Sequence, residues 1–259
     1  MRARKRFGQN FLHDQNVISR IISSVNPGPG QHIVEIGPGH GALTKHLVES
    51  DADLQLIEID RDLIVKLESE YNVPITSADV LEFDFNSIDR PFRVVGNLPY
   101  NISTPLLLKL LGYADNIIDM TFMLQLEVAN RLAASNGTKA FGRLTVMCQY
   151  YCQVEKLFQV SKGAFTPAPK VESAIVRLTP IKPAVTTNPD LMEKILQDVF
   201  SQRRKTLRNA FSKHLSADEL VSINIDPTLR PEQLSVADFV NCTNLVLNKI
   251  EQKKMAPQK

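Results

Sequence analysis

One short segment at positions 97–100, Asn97-Leu98-Pro99-Tyr100, combines an amide, a proline and an aromatic ring directly after an apolar run. The Asn97 side-chain carbonyl and the Leu98 backbone carbonyl could accept both N–H bonds of an exocyclic aromatic amine. This would pull the nitrogen towards tetrahedral geometry and free its lone pair, so that orientation supplies most of the catalysis. Pro99 stiffens the turn because its ring fixes φ, and Tyr100 can stack on a base, a contact worth ~1–3 kcal/mol. The segment indicates methyl transfer to such an amine, with an ordinary polar turn as the alternative.

A glycine-rich segment, Gly37-Pro38-Gly39-His40-Gly41, follows the apolar run Ile33–Ile36. Glycines after a first strand let a ligand approach the backbone without meeting a Cβ, although a tight strand–helix turn has the same composition. The third glycine falls one residue too early for the G-x-G-x-x-G of NAD-binding proteins. Glu35 stands two residues before the first glycine, where its carboxylate would repel a pyrophosphate and attract a cation. The segment therefore favours S-adenosylmethionine, with its ammonium and sulfonium groups, over NAD.

Acidic residues stand where the next two predicted strands end. Glu58 and Asp60 close the apolar run that follows the glycine segment, at a place where a carboxylate can accept hydrogen bonds from ribose hydroxyls. Asp79 follows the third predicted strand and could accept a bond from an adenine amino group; an ordinary loop aspartate is the alternative. With the glycine segment, these acids predict a site for a nucleoside-type cofactor.

These residues need a scaffold that gathers the ends of several strands, and the hydrophobic pattern predicts one. From His32 to Asp60 the chain is predicted to form strand, glycine turn, helix and strand, which implies parallel pairing with a right-handed crossover. The other predicted elements of this part are strands at Val73–Ser77, Phe92–Val95 and Ile117–Leu126, a helix at Thr104–Leu111, and an antiparallel pair at Val154–Val160 and Val171–Leu178. The fold class is therefore α/β, a doubly wound Rossmann-like sheet.

The pattern changes after a proline-rich stretch at 180–189, which is predicted to be a linker. Every periodic stretch beyond it is helical, at Leu191–Phe200, Thr206–Leu215 and Val236–Ile250. The sequence therefore predicts a catalytic domain over residues 1–182 that binds S-adenosylmethionine, and a smaller helical domain over residues 183–259.

The composition of the 259 residues excludes several classes of protein. With 43% hydrophobic and 22% charged residues, the chain is typical of globular rather than disordered or fibrous proteins. No apolar run approaches the ~20 residues of a membrane span, and the basic start of the chain lacks the apolar core of a secretory signal. The three cysteines cannot all pair, which favours a reducing cytoplasm. Cys148 and Cys152 lack further soft ligands at the spacing of a zinc site, so we expect no metal.

Several motifs, spread over essentially the whole chain, together resemble the rRNA adenine N6,N6-dimethyltransferases, and within them the bacterial enzymes of the small (16S) subunit. These motifs are Gln9-Asn10-Phe11-Leu12, Glu35-Ile36-Gly37-Pro38-Gly39, Asn97-Leu98-Pro99-Tyr100-Asn101, Phe165-Thr166-Pro167-Ala168-Pro169-Lys170-Val171 and Gln202-Arg203-Arg204-Lys205-Thr206. The resemblance implies that the methyl groups go to two adjacent adenines in a hairpin near the 3′ end of the small-subunit rRNA. It further implies an assembling 30S particle as partner and a role in small-subunit biogenesis, and nothing in the sequence requires more than a monomer.

The resemblance also implies roles for individual residues. The positions that would contact S-adenosylmethionine are Asn10, Leu12, Gly37, Glu58, Asp79 and Asn97, with Gln9 and Glu35 nearby. Asn97 to Tyr100 would hold the target adenine, and Phe165 would stack on its other face. The alternative for Phe165 is a buried anchor for the proline-rich loop that follows it.

A basic stretch in the predicted helical domain contains Arg203, Arg204, Lys205 and Arg208. On a helix, Arg204 and Arg208 would share one side, with Lys205 less closely aligned. Such a face could contact RNA phosphates; a solvated helix face is the alternative. The basic residues at positions 2–6 are either a second anchor or a free tail.

Two other functions remain as alternatives. A non-catalytic RNA-binding assembly factor on the same fold would have no reason to keep both Glu58 and the Asn97 turn. An NAD oxidoreductase is disfavoured by the glycine spacing and by the lack of a catalytic His or Tyr-x-x-x-Lys arrangement.

Overall fold

The computed structural model describes residues 10–255, which form two units. The first unit runs to Asn130 and resumes over Cys152–Ile181, and the second combines Arg131–Tyr151 with the described chain from Lys182 onward. The sequence placed the boundary at residue 182 and assigned 131–151 to the catalytic domain. The structure differs over 131–151, because the helix in this segment packs against helices from the C-terminal part of the chain.

The first unit is built on strands and on helices that flank them. Its strands are β1 (Phe11–Leu12), β2 (His32–Ile36), β3 (Asp53–Glu58), β4 (Ile75–Ser77), β5 (Phe92–Asn97), β6 (Ile117–Gln125), β7 (Cys152–Val160), β8 (Phe165–Thr166) and β9 (Ser173–Pro180). The helices up to this point of the chain are α1 (Gln15–Val25), α2 (Thr44–Val48), α3 (Arg61–Glu70), α4 (Ser103–Leu111), α5 (Leu126–Leu132) and α6 (Arg143–Tyr151), the last belonging to the second unit.

Seven of the strands form one sheet in the order β4-β3-β2-β5-β6-β9-β7. The first five strands in this order, from β4 to β6, pair in parallel with one another, and β9 pairs antiparallel with both β6 and β7. All five residues of β2 are buried, as expected of a central parallel strand covered on both faces. The predicted α/β Rossmann-like fold, including its antiparallel closing pair, is confirmed.

The centre of the sheet is unusually close-packed between β2 and β5. A Cβ on Gly96 would lie 2.6 Å from the Ile36 carbonyl oxygen, so only glycine lets the two strands end side by side here. The carboxyl ends of β2, β3 and β5 therefore meet at one edge of the sheet, which is where ligands bind in α/β proteins.

A separate two-stranded sheet joins β1 to β8 in antiparallel register, with Leu12 opposite Phe165. Both side chains are buried in a hydrophobic cluster that includes Ile18 and Ile21 of α1. The burial of this pair holds the segment before α1 against the body of the first unit.

The second unit is helical. It comprises α6 with α7 (Pro189–Ser201), α8 (Leu207–Ala210), α9 (Ala217–Ser222) and α10 (Val236–Met255). The side chain of Asn188 caps α7 by accepting from the Leu191 N–H at 2.9 Å, with Pro189 in the first turn. The predicted helix over Thr206–Leu215 is wrong in extent: helix is confined to Leu207–Ala210, and turns follow it.

Candidate active site

A cavity of about 300 Å³ opens at the carboxyl ends of the parallel strands in the first unit. Its walls come from the glycine turn after β2, the end of β3, the loop after β4, the turn after β5 and the residues around β1. The predicted site residues that line it are Asn10, Leu12, Glu35, Gly37, Glu58, Asp79, Asn97, Leu98, Pro99 and Tyr100. Residues far apart in the sequence are thus brought to one place by the parallel strand order.

The glycine turn forms one wall, and its backbone requires glycine. Gly37, Gly39 and Gly41 have φ values of +64°, +62° and +84°, in the left-handed region that other residues rarely adopt. The space beside Gly37 is open, whereas a Cβ on Gly39 would lie 3.2 Å from the Phe11 ring. The turn therefore presents bare backbone to the cavity while the β1 segment closes over it.

Glu58 ties this turn to the end of β3. Its side chain is 5% exposed, and it accepts hydrogen bonds from the backbone N–H groups of Gly39 at 3.3 Å and of Ile59 and Asp60 at 2.9 Å. Burial raises the pKa of Glu58, and these three bonds oppose the rise. A cationic or hydroxyl-bearing ligand would give this buried carboxylate a further partner.

Glu35 lies deeper in the same wall. It is 2% exposed and accepts a hydrogen bond from the Thr44 hydroxyl at 2.7 Å. Burial raises the pKa of Glu35 to about 8, and the neighbouring charge of Glu58 adds to the rise while Thr44 opposes it. Two buried carboxylates that both resist ionisation are stabilised by a positive charge placed beside them.

Asp79 occupies the loop after β4. It is half-buried, and its carboxylate accepts from the Leu81 N–H at 2.9 Å, which fixes the loop. The exposed side chain of Ile59 lies in the same lining. This part of the wall offers an acceptor beside an apolar surface, a combination that suits the edge and the face of a nucleobase.

The turn after β5 is held from two sides. The Leu98 N–H donates to the Met123 carbonyl of β6 at 3.3 Å, and the Asn97 side-chain Nδ2 donates to the Asn10 carbonyl at 2.9 Å. The donor end of the Asn97 amide is thereby occupied, which leaves Oδ1 as its acceptor. The Tyr100 hydroxyl is hydrogen-bonded to the Ser173 hydroxyl at 2.7 Å.

The structure does not bring every predicted residue to this cavity. Phe165 is 3% exposed and packs in the hydrophobic cluster with Leu12, so the predicted stacking position is corrected to the alternative, a buried anchor. Its place opposite Leu12 in the β1–β8 pair turns the ring into the core. Gln9 lies outside the described residues.

The basic residues lie in the second unit, and the expectation that they share a helix face is wrong. Arg203 and Arg204 belong to a turn between α7 and α8, because the Lys205 N–H bonds to the Gln202 carbonyl at 2.8 Å and ends the helical pattern. Only Arg208 is helical. The guanidinium of Arg203 contacts Glu232 at 3.6 Å and the Thr138 carbonyl at 3.4 Å. The side chains of Arg204, Lys205 and Arg208 are exposed and make no hydrogen bond or ion pair within residues 10–255.

Sequence reasoning missed the partners of the site residues. Thr44, the donor to Glu35, is fully buried in α2, and Ser173, the partner of Tyr100, is fully buried at the start of β9. A hydroxyl residue directly before the apolar run Ala174–Val176 is a signal that could have identified Ser173. No signal in the sequence singles out Thr44.

Residues 10–255 contain no group of three or more His, Cys, Asp or Glu side chains arranged to hold a metal ion. Among the helices described, none is both long and apolar enough to cross a membrane.

Comparison with known proteins gives one consistent family. The family model of the ribosomal RNA adenine dimethylases matches residues 1–248. The ribosomal RNA small subunit methyltransferase A of Marinomonas sp. (strain MWYL1) is 52% identical over 257 residues, 96% of this chain and 97% of the relative. The protein of the same name from Pseudomonas aeruginosa is 52% identical over 252 residues, 94% of either chain.

Solved structures agree with the sequence comparison. A dimethyladenosine transferase from Plasmodium falciparum superposes with a TM-score of 0.80 at 26% identity, covering 94% of this chain and 98% of the other. The 23S rRNA methyltransferase ErmE gives a TM-score of 0.67 at 27% identity, covering 91% and 100%. The likeness extends over the fold that carries the cavity as well as over the sequence. The chain belongs to the ribosomal RNA adenine dimethylase family of S-adenosylmethionine-dependent methyltransferases.

Proposed function

We propose that this chain transfers methyl groups from S-adenosylmethionine to N6 of two adjacent adenines in a hairpin loop near the 3′ end of small-subunit (16S) rRNA. The products are dimethyladenosines, and the modification belongs to small-subunit biogenesis. The observation that carries the proposal is the Asn97 amide, whose donor end is bonded to the Asn10 carbonyl so that Oδ1 remains to accept from a target amine. The relatives that are 52% identical are named for the small-subunit RNA, which supports the choice of substrate.

The cavity fits the methyl donor in shape and charge. When bound, S-adenosylmethionine supplies an electrophilic methyl group on a sulfonium that leaves as a neutral thioether. Gly37 offers unobstructed backbone, and Glu35 offers a buried carboxylate that a positive charge would stabilise. Glu58 is placed to accept from ribose hydroxyls, and Asp79 from an adenine amino group. Asn10 and Leu12 close the cavity from β1.

The turn after β5 acts on the target amine. Oδ1 of Asn97 and the backbone carbonyl of Leu98 accept its two N–H bonds, which draws the nitrogen out of conjugation and directs its lone pair into the cavity. Pro99 keeps the turn rigid, and the Tyr100 ring stacks on the adenine. Positioned acceptors of this kind need no reorganisation at the moment of reaction, which is the main source of their effect.

The second unit supplies a surface for RNA phosphates. Arg204, Lys205 and Arg208 are exposed and free of carboxylate partners within the described chain, so their charges remain available to a polyanion. Arg203 is engaged with Glu232 and supports the turn that carries them. We propose an assembling 30S particle as the partner. The chain would act in the cytoplasm, where that particle is made, and as a monomer.

The test is transfer of an isotopic methyl group from S-adenosylmethionine to small-subunit particles that lack the modification. Mass mapping of the rRNA should find label on two adjacent adenines near the 3′ end, each gaining two methyl groups. An Asn97→Ala variant is the matched negative control. Binding to the particles without any transfer would instead identify a non-catalytic assembly factor, and label at another position would overturn the proposed substrate.

A further inference from the structure

The hydroxyl groups of Tyr100 and Ser173 form a hydrogen-bonded pair next to the cavity, in which Ser173 is buried and Tyr100 half-buried. Their oxygens lie 2.7 Å apart, and Ser173 is 0% exposed. Ser173 is the first residue of β9 and lies in register with Gln125 of β6 on one side and Val160 of β7 on the other. The partner of Tyr100 is therefore fixed in the interior of the sheet, 73 positions along the chain from the turn it serves.

The two hydroxyls depend on each other. The Ser173 hydroxyl has no other hydrogen bond within the described chain, so it needs Tyr100 to avoid being buried without a partner. Burial raises the pKa of Tyr100, so its hydroxyl stays protonated at neutral pH and keeps the bond. The Tyr100 side chain is thus held at Cβ by the backbone and at its far end by Ser173.

An aromatic ring held at both ends has a fixed axis. Rotation about the Cα–Cβ bond swings this axis between staggered positions, and the Tyr100 ring is only half-buried, with one side in the cavity lining. A stacked base needs the ring in one place, because small errors in alignment slow a reaction that depends on orientation. The hydroxyl bond removes that freedom before any base arrives.

We propose that Ser173 is a positioning residue for methyl transfer, which fixes the Tyr100 ring as the platform for the target adenine. The proposal rests on the proposed function, because the ring is useful in this way only if an adenine stacks on it. Ser173 does not touch the reacting atoms, so its effect passes through Tyr100. Its loss should reduce the rate of transfer and leave the binding of S-adenosylmethionine unchanged.

The test compares the parent chain with Ser173→Ala, Tyr100→Phe and the double variant. Each single variant leaves one hydroxyl of the pair without its partner, so each should lower the melting temperature, and Tyr100→Phe more than Ser173→Ala because Ser173 is the more deeply buried. The double variant leaves no such hydroxyl and should recover the melting temperature of the parent. All three should slow single-turnover transfer by about tenfold to a hundredfold, the double no more than either single, with the Kd for S-adenosylmethionine within about twofold.

Thr121→Val is the matched control for removal of a buried hydroxyl from the same sheet. Thr121 is 2% exposed in β6, and its hydroxyl has no hydrogen-bond partner within the described chain. This variant removes a hydroxyl that is already without a partner, so it should not lower the melting temperature and should keep the transfer rate of the parent.

The outcomes separate the positioning role from folding and from the proposed function. If the double variant recovers the rate together with the melting temperature, the hydroxyl pair serves only stability and the positioning role is overturned. Single variants that transfer at the parent rate overturn it as well. A parent chain that binds S-adenosylmethionine and methylates no adenine overturns the proposed function and the positioning role together.

Discussion

Asn97 uses the two ends of one amide for different purposes. Its nitrogen bonds to the Asn10 carbonyl at 2.9 Å, and this contact orients the oxygen that would receive the target amine. The β1 segment that closes over the methyl donor therefore also orients the group that acts on the adenine. At the scale of single residues, the hydrogen bond between Asn97 and Asn10 links the part of the site that would bind S-adenosylmethionine to the part that would bind the adenine.

Replacing Asn97 by alanine should abolish transfer and leave the fold intact, because it deletes the acceptor for the amine. Loss of a positioned group of this kind lowers rates by ~100-fold or more. Single-turnover transfer to unmodified particles measures the effect, and the exposed Asn72, remote from the cavity lining, gives a control in Asn72→Ala. Transfer by Asn97→Ala within a factor of three of the parent would refute the role of the amide.

Glu35 should make the stability of the protein depend on pH. Burial raises its pKa from 4.5 to about 8, so between these values the folded chain holds a proton that the unfolded chain has released. Stability attributable to Glu35 is therefore present below about pH 4.5 and lost as the pH rises towards 8, by at most about 1.4 kcal/mol per pH unit. Glu35→Gln cannot ionise and should flatten that decline in urea unfolding between pH 6 and 8.

Binding of the methyl donor should also be linked to the ionisation of Glu35, but binding should favour the ionised carboxylate where folding favours the protonated one. A positive charge beside Glu35 favours its ionised form, so binding below pH 8 should release a proton. Calorimetry in two buffers of different ionisation enthalpy measures that release. Equal heats in both buffers for the parent chain, or an unchanged release in Glu35→Gln, would show that Glu35 does not face the cation.

At the scale of elements, the small β1–β8 sheet explains the position of Phe165. The sequence motif resembles one in which this ring stacks on the base, yet the ring lies opposite Leu12 and inside the core. The local sequence is the same in either arrangement, since an aromatic residue before a proline loop can point either way. The direction is decided by pairing with a strand more than 150 positions earlier, which no local pattern reveals.

Phe165→Ala should destabilise the protein by about 3–5 kcal/mol, because it leaves a cavity in a packed core. Urea unfolding measures the loss, and Phe165→Leu should lose less because it refills most of the space. Val171→Ala, at an exposed side chain in the following loop, should leave stability unchanged. Unaltered stability of Phe165→Ala together with lost transfer would restore the stacking role.

An element was easier to predict from the sequence when it is formed by residues close together in the chain than when it depends on pairing between distant residues. Strands β2, β3, β5 and β6 were predicted within a few residues, because buried parallel strands are read as continuous apolar runs. The two-residue strands β1 and β8 were not predicted, because their pairing is long-range and their length gives no period. The helix predicted over Thr206–Leu215 ends at Ala210, because the N–H groups of Ser212 and His214 make turn bonds to carbonyls only three residues earlier.

At the scale of the whole molecule, charge is distributed unevenly, although the net charge is only +2. The cavity lining includes the carboxyl groups of Glu35, Glu58 and Asp79, whereas the turn after α7 together with α8 presents three exposed cations. The sequence predicted that the acidic residues and the Asn97 turn lie together, because they follow the ends of predicted parallel strands. The sequence could not show that Arg203 is engaged with Glu232, because the two are joined only by the folded second unit.

The double variant Arg204→Ala/Arg208→Ala should bind small-subunit particles more weakly and with a flatter salt dependence. Each lost phosphate contact should lower the log–log slope of affinity against salt by about 0.7–0.9. Lys213→Ala is the control, since Lys213 already pairs with Asp198 at 3.4 Å. The Kd for S-adenosylmethionine should not change, and an unaltered salt slope would mean that these arginines face only solvent.

The second unit is built from two separate segments of the chain, and this determines the order in which its helices can pack during synthesis. Helix α6 leaves the ribosome before α7 and α10, against which it packs, and before β7 and β9, which complete the sheet of the first unit. Helix α6 can therefore pack against these helices only after the chain beyond Pro189 has been translated. A fragment ending at residue 182 would carry α6 without its helical neighbours, so the chain cannot be divided into two independent folding pieces by a single cut.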